Sequence, residues 1–295
     1  MKLTLPTRPP FSLSAVVGSH GWIRLAPFRK EEHTGGLAYV AHLDTGPVVQ
    51  VSIQQAPGGV SVEVDASLGE AERLEVADKV TWMLGLDQDF ADFYALARGE
   101  PKLAGIEARA QGRLLRSSSF FEDVVKTILT TNTAWSGTIR MVGALVSQFG
   151  APLLTDPNRH AFPTPRRLAA SNEETLRSST RLGYRAPYVL ELACSVASGA
   201  LDLETFKNTD LPTPELRKEL LTIKGVGDYA AAHLLMLLGR YDVVPVDSWA
   251  LKMVSHEWHD GEPIGQSEVK AAFERWGQWK GLAYWFWDWS YRSES

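Results

Sequence analysis

The chain has 295 residues, 44% of them apolar and 22% charged, with a formal net charge of −5, ten tryptophans and one cysteine. These proportions exclude a disordered, collagen-like or coiled-coil chain, and the length allows one large domain or two ordinary ones. The lone Cys194 excludes an intrachain disulfide and any zinc site or iron–sulfur cluster held by four cysteines. No apolar run of about 18 residues occurs and the start, Met-Lys-Leu-Thr-Leu-Pro, lacks a secretory hydrophobic region, so a cytoplasmic protein is expected.

Charge is spread unevenly. Residues 60–100 carry ten acidic side chains (63, 65, 70, 72, 75, 78, 87, 89, 92 and 100) against Arg73, Lys79 and Arg98, a net of −7. Residues 159–188 carry six arginines (159, 166, 167, 177, 181 and 185) against Glu173 and Glu174, a net of +4. A polyanion would be steered to the second stretch, although solvated faces also collect charge without any ligand.

In chain order, the first 65 residues read as strands. Residues 36–42, 48–53 and 60–64 are short runs with alternation, separated by the turn signals Asp44-Thr-Gly-Pro47 and Pro57-Gly-Gly59. From about residue 69 the period becomes helical: Phe90, Phe93 and Tyr94, then Val124 and Ile128, then Met141, Ala144 and Leu145 recur at i, i+3, i+4 spacings. Glycine and proline at 99–101, 150–152, 163–165, 212–214 and 261–263 divide the rest into helices of ordinary length. The expected fold is mainly α with an N-terminal antiparallel β domain (α+β), residues 1–75 being β-rich and residues 76–295 helical.

The most informative stretch is a hairpin at about 215–239. One helix, residues 215–222, is broken by Gly225-Val226-Gly227, and a second apolar helix begins at about Asp228. Two glycines one residue apart permit a tight turn with main chain close to whatever lies outside it. The first N–H groups of the second helix lack intrahelical partners and point outward, which suits a DNA phosphate without any side-chain charge. The same residues also describe an ordinary helix–turn–helix closed by glycine. After Gly239 the chain runs extended through Val244-Pro-Val246 to Asp247, in a loop of about 241–248, before another helical pattern with Trp249 and Leu251–Val254. Asp247 is a natural N-cap there. It also lies twenty-two residues after Gly225, one helix and one return loop away, so its carboxylate comes back to the mouth of the hairpin.

The hairpin, the following helix and Val-Pro-Val-Asp resemble the signature of the helix-hairpin-helix (HhH-GPD) DNA glycosylase superfamily. The segments Gly112-Arg-Leu-Leu-Arg116, Phe121-Glu122, Thr130-Thr-Asn-Thr-Ala-Trp135, Met141-Val142, Phe149-Gly150 and Leu182-Gly-Tyr-Arg-Ala-Pro-Tyr-Val189 are similar to the helices preceding it in 8-oxoguanine DNA glycosylases. The resemblance covers about residues 105–255. A β-rich N-terminus agrees with the 8-oxoguanine and bacterial 3-methyladenine glycosylase II branches, and one cysteine disagrees with the branches that carry an iron–sulfur cluster.

The resemblance implies a helix-hairpin-helix DNA glycosylase fold with Asp247 as the catalytic carboxylate. A charge near the deoxyribose anomeric carbon lowers the energy of an oxocarbenium-like transition state and can orient the attacking water. Two residues beyond Gly227, bifunctional members of the family carry a Schiff-base lysine; this chain has Tyr229, and a phenol cannot form an imine. Lys224 precedes Gly225, and Lys252 lies a turn beyond Asp247. Tyr184 resembles the wedge that fills the gap left by a flipped base, with Arg185 beside it for the orphaned base and Asn132 lining the gap. Lys224, Gly225, Val226 and Gly227 would meet the DNA backbone. Seven tryptophans fall in residues 249–295; spacings such as Trp285/Trp289 suit one helix face, so most belong to packing, and Trp249 is nearest to Asp247.

The expectation is a monofunctional DNA N-glycosylase that hydrolyses the bond to a flipped, modified base in base excision repair, alkylated purine first. An oxidised purine or modified pyrimidine is the alternative substrate, and a non-catalytic DNA-binding hairpin protein the alternative class. No cofactor is expected beyond a structural monovalent cation that the hairpin could hold. The expected partner is double-stranded DNA with a modified base, bound by a monomer, with no membrane involved.

Overall fold

The computed structural model describes residues 1–31 and 35–289. From the N-terminus come β1 (Lys2–Pro6), α1 (Leu13–Val17), β2 (Phe28–Lys30), β3 (Leu37–His42), β4 (Val48–Ala56) and β5 (Gly59–Val64). Helices α2 (Glu70–Leu84), α3 (Ala91–Ala97), α4 (Phe120–Thr130) and α5 (Trp135–Phe149) follow, then a ribbon of β6 (Pro152–Leu153) and β7 (Asp156–His160). The rest is helical: α6 (Pro165–Ala169), α7 (Glu173–Thr180), α8 (Ala186–Ala197), α9 (Thr213–Leu221), α10 (Asp228–Leu237), α11 (Ser248–Trp258), α12 (Gln266–Phe273) and α13 (Lys280–Phe286). Among the described residues no helix is long and apolar enough to cross a membrane.

Compact packing divides the chain into Met1–Gln88 with Arg113–Thr209, and Asp89–Gly112 with Asp210–Ser295. The change of period near residue 69 is therefore a change of secondary structure and not of packing. The sheet shares its unit with α2 and α4–α8.

In the first unit five antiparallel strands lie in the order β1-β5-β4-β3-β2. The three strands read from the sequence form its centre. Of the two outer ones, β2 has only three residues, too few for alternation to announce it, while β1 alternates as Lys2-Leu-Thr-Leu-Pro6 and was not singled out; the β6–β7 ribbon falls where a helical break was expected. On β4 and β5 the alternation sorts Val49, Val51, Ile53, Val60, Val62 and Val64 into the core.

Helix α4 is buried from Phe120 to Leu129, charged residues included. Its apolar stripe alone does not announce this. The Tyr39 hydroxyl donates to Glu122, Lys126 Nζ pairs with Glu122 at 2.6 Å, and Trp22 Nε1 donates to Asp123 at 2.7 Å. Lys126 also lies 4.6 Å over the Phe28 ring. Tyr39 and Phe28 tie α4 to the sheet and Trp22 to the segment before β2, because a buried charge persists only when paired. Arg113 and Arg116, in a segment that carries the family resemblance, are structural: Arg113 donates to the carbonyls of Gly85, Pro10, Arg8 and Gln88, and Arg116 stacks 4.3 Å over Trp82.

In the second unit α3 and the C-terminal helices share an aromatic core. Trp279 packs on Phe93 at 5.7 Å and on Tyr241 at 5.8 Å; Phe273 meets Trp258 and Trp287 edge-on at 5.6 and 5.5 Å. The one-face pairing of Trp285 with Trp289 fails, because α13 ends at Phe286 and Trp287 is extended (φ −58°, ψ 134°). Trp289 turns instead to Trp249 at 5.6 Å.

Candidate active site and nucleic-acid interface

In the second unit, Pro214 opens α9 in the first helical turn, where its missing N–H costs nothing. The hairpin turn then closes with Val226 N–H donating to the Ile223 carbonyl at 3.0 Å. The two glycines differ in kind. Gly225 has φ +88°, a left-handed value that excludes most side chains. Gly227 has φ −96° and is the N-cap of α10, where a β-carbon would meet no atom within 4 Å. Its extended backbone needs no glycine. The Val226 side chain is buried while Lys224 and Gly227 are exposed, so the hairpin turns mainly backbone outward. Asp228 in the first turn of α10 is ion-paired with Arg217 of α9, which fastens the two helices together.

The return to Asp247 is held from behind. Gly239 (φ +81°) reverses the chain after α10, and Arg240 N–H reaches the Leu235 carbonyl at 2.8 Å. Gly281 of α13 donates to the Tyr241 carbonyl at 2.7 Å, and a β-carbon there would stand 2.3 Å from the Val243 carbonyl oxygen. Only glycine permits that approach. Val244, Pro245 and Val246 are buried, leaving Asp247 half-buried at the start of α11.

Asp247 Oδ1 accepts the Ala250 N–H at 2.8 Å, and no hydrogen bond to Oδ2 occurs among the described residues. Two phenols feel its charge. Burial, and then Asp247, push Tyr229 up to about 12; burial, then Asp247 and Tyr229, raise Tyr284 well above the ordinary range. Both stay neutral and protonated at any physiological pH. Tyr229 stacks on His233 at 6.2 Å and 13°, His233 meets Trp285 at 5.7 Å, and Trp249, 42% exposed, touches Tyr284 edge-on at 6.3 Å. His233, Tyr284 and Trp285 were not singled out from the sequence. His233 left a signal there, four residues after Tyr229 and so on the same face of α10, and Trp285 left one as a member of the C-terminal tryptophan cluster.

In the first unit the loop between α4 and α5 and the turn before α8 meet. Asn132 is left-handed (φ +49°), and its Nδ2 donates to the Tyr184 hydroxyl at 3.3 Å across fifty-two residues. Tyr184 is 46% exposed. Arg185, expected beside the orphaned base, is 6% exposed in the free protein. Its guanidinium lies 4.4 Å over the Tyr184 ring and donates to the carbonyls of Thr131 and, at 3.1 Å, Asn132. Arginine with its planar fork suits two carbonyls and a ring at once. Arg159 bonds Gln50 and Arg177 pairs with Glu173, so of the six arginines Arg166, Arg167 and Arg181 are exposed and, among the described residues, without a side-chain bond of that kind.

Among the described residues no group of three His, Cys, Asp or Glu could hold a metal ion.

Residues 125–278, just over half of the chain, match the family described as HhH-GPD superfamily base excision DNA repair protein. The chain is 23% identical over 207 residues to the N-glycosylase/DNA lyase of Saccharomyces cerevisiae, across 59% of this chain and 55% of that one. It is 24% identical over 183 residues to the DNA-3-methyladenine glycosylase of Bacillus subtilis, across 61% and 60%. The match thus spans somewhat over half the length of these relatives. The 8-oxoguanine glycosylase/lyase of Clostridium acetobutylicum, solved with double-stranded DNA, has the same fold, with a TM-score of 0.73 and 21% identity over 97% of this chain and 95% of that one. The protein belongs to the HhH-GPD superfamily of base excision DNA repair proteins.

Proposed function

We propose that this glycosylase-family protein is a monofunctional, water-using DNA glycosylase whose first substrate class is an alkylated purine. The observation that carries the reading is Asp247, half-buried, capping α11 with one oxygen and flanked by Tyr229 where bifunctional relatives hold an amine.

The chemistry follows from those groups. The bond between C1′ and the base nitrogen breaks with its electron pair leaving on the base. The Asp247 charge stabilises the cationic sugar, water adds its oxygen to C1′, and the water's proton passes to the carboxylate. An alkylated purine already carries positive charge and leaves without an acid. That suits a site whose identified neighbours are neutral phenols, and electron-poor bases gain most from stacking on Tyr229, Trp249 and Trp285. In the first unit, Tyr184 would fill the vacated stack with Asn132 beside it; in the second, the hairpin of Lys224, Gly225, Val226 and Gly227 would hold a backbone phosphate. A cation at that hairpin would have main-chain carbonyl oxygens as donors, a hard set that suits a weakly held monovalent ion.

An oxidised purine is the second reading, favoured by the Asn132–Tyr184 pair that resembles the 8-oxoguanine branch. Both readings are tested by incubating the protein with duplexes carrying single modified bases, followed by alkali, with borohydride in parallel. The expected products are intact abasic strands, nicked only after alkali, from alkylated purines before oxidised ones, with no trapped adduct. A trapped adduct would put an amine such as Lys224 or Lys252 in the role denied to Tyr229. Binding without release from any duplex would leave the non-catalytic reading.

A further inference from the structure

We propose that the cleft between β2, β7 and the outer face of α5 is an anion site that takes a phosphate group. It is independent of the chemistry at Asp247 and lies within the first unit. Antiparallel register places Arg29 opposite Ala38 and Val40 opposite Gln50, so these residues share one face of the sheet. The β6–β7 ribbon packs over that face, burying Val40 with Leu153 and Ala161. Between them a cleft of about 260 Å³ is left, walled by Arg29, Ser147, Asn158, Arg159 and His160, with Gly143 of α5 behind.

Three observations point to an anion. Arg29 and Arg159 line one cleft, and among the described residues neither forms an ion pair. Arg159 spends Nη1 on the Gln50 amide oxygen, while its Nη2 is buried with no hydrogen-bond partner. A guanidinium offers a fork of donors, and a buried donor without an acceptor is costly. Two of the three carboxylates whose charge reaches Arg159 are hydrogen-bonded elsewhere, and among the described residues none of the three forms an ion pair with it: Asp65 accepts the Gln50 N–H and the Thr155 hydroxyl, both at 2.8 Å, and Asp156 accepts the Asn158 N–H at 3.2 Å.

Burial, and next the Arg29 charge, depress the Arg159 pKa, while Asp156, Asp65 and Glu31 offset part of that strain. A phosphate would satisfy the idle donor and relieve the repulsion of two cations together. Arg on a planar fork with a hydroxyl, an amide and an imidazole nearby is the donor set that oxyanions prefer.

Gly143 and Ser147 lie eight and twelve residues beyond the start of α5, roughly 12–18 Å along the helix from the Asn132 loop. That is about four or five base-pair steps of a duplex. The phosphate could therefore belong to the backbone of the same DNA or to a small phosphorylated compound.

The test compares R29Q with K30Q in the full chain. Both remove one positive charge from neighbouring exposed positions of β2, but strand alternation points Lys30 to the opposite face. Thermal unfolding is measured in inorganic phosphate against chloride at equal ionic strength, and affinity for an undamaged duplex at two salt concentrations. If the site takes free phosphate, phosphate raises the Tm of the wild type and of K30Q but not of R29Q. If it takes the DNA backbone, R29Q binds the duplex about tenfold more weakly and its salt slope falls by about one, while K30Q stays near wild type. R29Q matching the wild type in both measurements, or K30Q changing as much as R29Q, overturns the proposal.

Discussion

Asp247 and Ala250 are joined by a 2.8 Å bond from the Ala250 N–H to one carboxylate oxygen, so the residue proposed for catalysis is also the cap of α11. The two roles come apart by substitution. Asp247→Asn keeps an acceptor for Ala250 and loses the charge. Its thermal unfolding should match the wild type, while single-turnover base release falls by about 10²–10³-fold or more. Asp247→Ala should lose release as well and about 1 kcal/mol of stability. Near-normal release by the asparagine variant would remove Asp247 from the chemistry.

The two hairpin glycines should respond in opposite ways. Gly225→Ala forces a side chain into φ +88° and should cost about 1–2 kcal/mol of stability, read from the denaturant midpoint. Gly227→Val meets no atom within 4 Å in the free protein, so it should cost no more than the about 1 kcal/mol by which valine is the poorer N-cap. Its affinity for damaged and undamaged duplex alike should fall by roughly tenfold, since phosphate contacts position without specifying. Weakening confined to the damaged duplex would show that Gly227 faces the lesion.

The Asn132–Tyr184 tip predicts a different loss. Tyr184→Ala should reduce the preference for damaged duplex while most of the salt-dependent affinity remains. Arg185→Gln should do the same from within. It removes the guanidinium from beneath the Tyr184 ring and from the Thr131 and Asn132 carbonyls. Were Arg185 a direct DNA contact, its loss would lower the salt slope, and competition binding at two salt concentrations separates the cases.

Two buried groups near Trp22 oppose each other in pH. Burial raises Asp123 to about 6, so between about pH 4 and 6 the folded state holds the extra proton and stability falls as pH rises. Burial lowers His20 to about 4, so between about pH 4 and 6.5 the unfolded state holds the proton and stability rises with pH. In the wild type these slopes oppose one another. His20→Gln should therefore lose of order 2–3 kcal/mol between pH 4 and 6, whereas Asp123→Asn should gain stability over the same range. Denaturant midpoints across that range check both signs; a flat profile in either variant contradicts the assigned titration.

The central strands, the hairpin and the cap at Asp247 were legible in the sequence because each is local. Alternation in Val60-Ser-Val-Glu-Val64, glycines at 225 and 227 and an aspartate before a helical period act within a few residues of themselves. The family resemblance rests on the hairpin and Asp247 together with other short segments, among them residues 130–135 and 182–189. Tertiary structure alone decided the rest. It made the Asn132–Tyr184 hydrogen bond, at a tip where the resemblance had already placed both residues, and buried Arg185, which a basic stretch would place in solvent. It drew Tyr284 to Asp247, and it sank Glu122, Asp123 and Lys126 into a core because Tyr39, Trp22 and each other were there to pair them. Charge and hydropathy describe a side chain in water. Whether it stays in water depends on partners that lie far away along the chain, and only packing brings them within a hydrogen bond.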